Sequence, residues 1–321
     1  MNELDRNELE RFREALARIA KPSSAAVNGD DDLSDDSQLG DDPSDYVALN
    51  EKLVCTPKSL PKRLMVAAAK TAVEINPVNA PVFGPVAEVA LDLILDPQRI
   101  AVLTSKYWGP TPRRLTVSFM ESTPADLRTR IISHLNAWTR TACIQFVETQ
   151  GTGQVRISRG PGGYWSYLGT DVLLIPQNRQ TMNLQGFTMQ TSESEYRRVI
   201  RHETGHTLGF PHEHMRRALV ARIDPEKAYE YFRRTQGWDR ATVDQQVLTP
   251  LDERSIMSTP ADQTSIMCYQ LPGSITRDGR PIIGGPDINQ TDFDFAGRIY
   301  PRPEREQFVE EEEWEEAYAA A

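Results

Sequence analysis

A chain of 321 residues is about twice the size of a typical domain, which favours one large domain with flanking segments. The net charge of −10 sits mostly at the ends: residues 1–105 hold 11 basic and 18 acidic side chains and residues 302–321 hold 2 and 8, so the middle is slightly positive. Acidic ends give nucleic-acid binding no support, three cysteines are too few for a disulfide framework, and no run of 18 apolar residues spans a membrane.

Residues 2–20 carry Leu9, Phe12, Leu16 and Ile19 at helical steps and are predicted to form an amphipathic helix. They are charged throughout and lack the apolar stretch of a secretory signal, so the expected location is cytoplasmic or reached by non-classical export. Asn28 to Asp45, with eight aspartates among Gly, Ser and Pro, reads as an acidic linker. A helix is predicted from Ser59 to about Glu74, with Pro61 in its first turn and Asn76-Pro77 breaking it, and a shorter one over roughly Pro85 to Leu95.

The main domain opens near Lys106-Tyr107-Trp108. Leu115 to Phe119 alternates as a strand, and a helix entered through Pro124 follows with the buried stripe Leu127, Ile131, Leu135 and Trp138. His134 beside that stripe reads as an ordinary surface or core histidine. Further strands are predicted at Ile144–Val147, Gln154–Ile157 and Val172–Ile175, giving an α+β layout. Ser192 and Glu195 form a capping-box pattern at the start of the next helix; Asp224-Pro225-Glu226 opens another, and the last runs from Asp292 to Tyr300. Residues 302–321 are an acidic tail.

The helix after Ser192 carries the chemistry. His202 and His206 lie one turn apart on one face, so both imidazoles can reach one metal ion, with Glu203 beside them to hold a water. Gly209 can turn the chain back and bring His212 round as a third nitrogen ligand. Three histidines leave a zinc position open, which is a catalytic arrangement. This HExxHxxGxxH pattern calls for a methionine turn downstream. Ser265-Ile266-Met267-Cys268-Tyr269 offers one; a second triplet, Ser255-Ile256-Met257, has no tyrosine after it and is the weaker choice.

The stretch resembles the astacin branch of the metzincins, in Gly209-Phe210 before the third histidine, Glu213 after it, and Tyr269 two residues past Met267. Gly163 to Gly169 is similar to that family's Trp-Ser-Tyr segment, and the likeness covers about residues 106–301. It departs at Ala218 and Val220, where the family has aspartates, and at its cysteines: Cys143 has no partner after Tyr300 and reads as a free buried thiol.

The resemblance implies a two-subdomain metzincin fold: a mixed sheet with the zinc helix above and an irregular, helical lower part. It implies a zinc endopeptidase with one zinc per chain, held by His202, His206 and His212 and additionally by Tyr269. Glu203 would activate a zinc-bound water, Tyr269 would swing to the oxyanion, and Met267 would be the structural floor. A peptide or protein substrate would lie extended along Trp165, Ser166 and Tyr167. Residues 1–105 would be a prosegment whose removal frees an N-terminus for Glu213; an independent partner-binding region fits the same residues. Blocking groups on offer are the aspartates of 30–45 and Cys55. A non-catalytic zinc-binding protein, or a zinc hydrolase of a non-peptide bond, would keep the same ligands, although the presence of both Glu203 and Tyr269 disfavours the former.

Overall fold

The computed structural model describes Cys55 and residues 58–80, 104–250 and 261–303. The helices predicted over 2–20 and 85–95, the acidic linker, the triplet at Ser255-Ile256-Met257 and the acidic tail lie outside the described residues. Every described residue belongs to one compact unit, Val54–Ala321.

Helix α1 (Lys62–Ile75) buries one face, Ala68, Ala69, Ala72 and Val73. Small side chains there let it lie close against a 3-10 segment at Gly169–Leu174. The Asn79 amide then ties it in place, donating to the carbonyls of Ala72 (2.8 Å) and Tyr107 (2.7 Å) and accepting from the Tyr107 amide (2.9 Å). Residues 58–80 are therefore part of the domain body.

Among the described residues, β1 (Arg113–Phe119), β2 (Ile144–Glu148), β3 (Val155–Ser158), β4 (Tyr164–Ser166) and β5 (Met182–Leu184) form one mixed sheet in the order β2-β1-β3-β5-β4. All pairings are parallel except that of β4 with β5. Parallel β1 and β2 need a crossover, and α2 (Ala125–Leu135) supplies it, setting Leu127, Ile131 and Leu135 into the core. The run Val172–Ile175 is not the predicted strand. It closes the 3-10 segment and packs against α1, and a four-residue apolar run cannot by itself separate the two outcomes. Strands β4 and β5 are too short, at three residues each, to show a period in the sequence.

The active-site helix α3 (Arg201–Thr207) is followed by α4 (Pro225–Gln236), capped by Asp224 and closed by Gly237 at positive φ, and by α5 (Gln290–Ile299), capped by Asn289. Two main apolar cores result among the described residues. The larger joins the sheet, α2, α5 and the residues on either side of α3, Tyr196, Val199, Ile200 and Leu208; the smaller gathers Leu219, Ile223, Phe232, Val247, Leu271 and Ile275. The methionine turn is shared between them, with Ile266 and Met267 in the first and Cys268 and Tyr269 in the second.

Candidate active site and metal centre

The approach to α3 is less regular than its pattern predicts. Ser192 accepts from the Glu195 amide (3.3 Å), as an N-cap should, while the Glu195 carboxylate meets Arg198 at 2.7 Å. A π turn over Tyr196–Ile200 then leads into Arg201–Thr207. At the far end, the Thr207 carbonyl accepts from the Trp108 indole (2.8 Å) and the Leu208 carbonyl from the Tyr300 hydroxyl, so two terminal carbonyls are paired inside the core.

Gly209 stands at φ 93, and a Cβ there would lie 3.0 Å from the Lys106 carbonyl oxygen. Only glycine fits this turn, and it delivers His212. Gly205 has a different reason: a Cβ would come within 2.3 Å of the Met267 sulfur. The methionine floor therefore lies directly against the backbone between the two helical histidines. Asp292 fixes that floor, accepting from the Ser265 hydroxyl (2.6 Å) and the Ile266 amide (3.0 Å).

These elements bring the three histidines together. The Nε2 atom of His212 is 3.1 Å from that of His202 and 2.9 Å from that of His206. The opposite nitrogens of two rings face backbone carbonyls: His202 Nδ1 lies 2.6 Å from Ile266 O, and His206 Nδ1 lies 2.8 Å from Phe210 O. Those contacts fix the tautomer with the proton on Nδ1, so the Nε2 lone pairs converge. Nitrogens on a tetrahedral zinc, at about 2.05 Å from the metal, stand about 3.3 Å apart, so the set fits that ion. Burial pushes the His202 imidazole down to about 4 and His206 and His212 well below their ordinary value, keeping all three in the neutral, ligating form.

A fourth group completes the cluster. Cys55 Sγ and the ligand atoms of His202, His206 and His212 all lie within 4.8 Å of one another, and all four residues are buried. The Cys55 thiol also points at Glu203 Oε2, at 3.4 Å. Burial raises the Glu203 carboxyl to about 8, and burial together with Glu203 pushes the Cys55 thiol well up. Cys55 forms a parallel bridge with Tyr164 on β4, the strand at the end of the sheet order.

Tyr269, expected as a further ligand, packs its ring 4.2 Å from that of His212, and its hydroxyl donates to the Cys55 carbonyl. Trp165 and Ser166 are buried on β4; the Ser166 hydroxyl meets that of Thr207 at 2.9 Å, while Trp165 carries Lys58 over its ring and the Tyr167 ring at its edge. Glu213 accepts from the Asp262 amide (3.1 Å), and burial lifts its carboxyl to about 7. Cys143 and Cys268 are buried and in no disulfide, and His134 is a buried histidine 3.5 Å from Glu193. Nothing in the local sequence marks Asp292 as the brace of the methionine turn. Nor does anything there choose Cys55 over the aspartates of 30–45, which lie outside the described residues.

A two-core domain with a mixed sheet, a backing helix, three convergent imidazoles and a methionine floor is the metzincin class of zinc metalloendopeptidase. The model of the Astacin peptidase family matches residues 102–274, more than half of the chain, and the chain belongs to that family. The solved structure of myroilysin is similar, at 30% identity and a TM-score of 0.59, covering 63% of this chain and 99% of that one. Zinc metalloproteinase nas-27 of Caenorhabditis elegans is 30% identical over 100 residues, 31% of this chain and 21% of that protein, so the chain spans about a fifth of this curated relative. Astacins are typically secreted, so the cytoplasmic expectation gains no support. No helix among the described residues is long and apolar enough to cross a membrane.

Proposed function

We propose that the chain is an endopeptidase carrying one zinc on His202, His206 and His212, with Glu203 as the proton carrier and Tyr269 as the oxyanion donor. The observation that carries this reading is the convergence of three imidazole Nε2 atoms, with 2.9 and 3.1 Å separations. Bound zinc supplies Lewis-acid polarisation of the scissile carbonyl and lowers the pKa of a water. Glu203, beside His202 and facing the same space as the Cys55 thiol, would be the carboxylate that takes a proton from the attacking water and passes it to the leaving amine. The Tyr269 hydroxyl, which here holds the peptide carbonyl of Cys55, is a donor ready for a substrate oxyanion. The edge of β4 pairs with a peptide backbone at Cys55, which supports strand addition by an extended substrate. Ser166 contributes backbone there, its hydroxyl being engaged with Thr207, whereas Trp165 and Tyr167 offer rings.

The experiment is cleavage of a peptide library, with and without a chelator, by the full chain carrying Cys55→Ala, in which the thiol no longer stands on the site. Chelator-sensitive cleavage is expected; metal-bound protein inert on every peptide would support the binding-protein reading instead. Tyr269→Phe removes the donor and keeps the ring, so kcat should fall by ~10²–10³-fold, or about 2.7–4 kcal/mol, with little change in KM. A change confined to KM would assign Tyr269 to packing.

The N-terminal extension acts, in the same reading, as a latency segment whose blocking residue is Cys55. Its sulfur lies within 4.8 Å of the three nitrogens, its backbone covers β4, and its carbonyl occupies Tyr269. A thiolate is a good fourth zinc ligand and closes the open position that catalysis needs.

A further inference from the structure

His214 is the remaining histidine of the motif stretch and has no place in the ligand set. Its side chain is fully buried, on the 3-10 turn Glu213–Met215 that follows His212. Nε2 lies 2.9 Å from the carbonyl oxygen of Gln246, whereas Nδ1 is buried with no hydrogen-bond partner among the described residues. An apolar side chain of this size would fill the space without stranding a nitrogen, so packing alone does not account for an imidazole here. Its ring lies nearly parallel to that of Tyr269, at 14° and 4.1 Å between centroids, and the ring of His212 stands at 52° and 4.2 Å on the same tyrosine. The phenol is thus flanked by a ligand ring and an anchored stacking face.

We infer that His214 is a positioning residue for Tyr269. Its ring, fixed by the Gln246 carbonyl, is a flat surface over which the phenol turns from the Cys55 carbonyl to a substrate oxyanion without leaving its plane. His214 touches neither substrate nor the reacting atoms. The inference rests on the reading of Tyr269 as an oxyanion donor, and the test separates the two.

The test is a double-mutant cycle in the full chain carrying Cys55→Ala, with peptide cleavage and zinc content as readouts. His214→Leu should lower kcat by on the order of tenfold, with KM within about twofold and zinc unchanged, because only transition-state positioning is lost. His214→Phe, which keeps the stacking face, should recover most of that loss. In the Tyr269→Phe background His214→Leu should cost nothing further. Where His214→Leu does not fold, His214→Gln keeps a donor for the Gln246 carbonyl, lacks the ring, and answers through the same cycle. An equal loss in both backgrounds, or no loss of kcat, overturns the inference while leaving Tyr269's role intact. A silent Tyr269→Phe overturns the reading of Tyr269 and the inference with it.

Discussion

Glu203→Ala, measured in the full chain carrying Cys55→Ala, is expected to retain its zinc and lose most of its turnover. Glu203 is 1% exposed and adjoins His202, yet it is absent from the cluster of groups placed to bind the metal. Removing it should therefore spare the site and take away the proton carrier, a loss of ~10²–10⁴-fold in kcat. Glu203→Gln, which preserves volume and hydrogen bonding, should be nearly as inactive. Wild-type kcat in either variant would show that the proton moves by another route.

Cys55→Ala should act in the opposite direction. In the full chain the Cys55 sulfur faces Glu203 and the three imidazoles, and its carbonyl holds Tyr269, so three parts of the machinery are engaged at once. If the thiolate closes the metal site as proposed, its loss should raise kcat/KM on a short peptide by about tenfold or more as the competent fraction grows. The point variant is a cleaner test than deleting residues 1–105. That deletion also strips away α1 and the Asn79 clamp on Tyr107, leaving the buried contacts of the 3-10 segment exposed. Equal kcat/KM for the parent and Cys55→Ala would return the N-terminal region to the role of an independent binding element.

The catalytic helix was legible because its constraints are local. The spacing of His202 and His206 sets one face, and Gly209, at φ 93 and close against Lys106, dictates the turn that delivers His212. Periodicity likewise found β1, α2, β2 and β3, where buried residues alternate or recur over five or more positions in all but the last. Strands β4 and β5 exist through pairing rather than propensity, and three residues carry no period. The 3-10 segment at Gly169–Leu174 defeated the strand pattern because its apolar residues part company: Val172 enters the main core, Leu174 packs with α1 and Leu173 is exposed. Long-range contacts were the least accessible: Cys55 meets Glu203 across 148 positions, and Asp292 meets Ser265 across 27. In both cases a common residue type acquires its role only when the fold closes. Glu213 shows the same limit. The family likeness implies a new N-terminus as its partner, whereas here the loop before the methionine turn supplies the Asp262 amide.

What holds the metal decides between these outcomes, and X-ray absorption at the zinc edge of the intact chain reads it directly. The expected shell has three nitrogens at about 2.0–2.1 Å and one sulfur at about 2.3 Å, with about one zinc per chain, and the sulfur should vanish in Cys55→Ala while the nitrogens stay. A shell of oxygens, or a zinc that survives replacement of His206 and His212 by alanine with its spectrum unchanged, would contradict it.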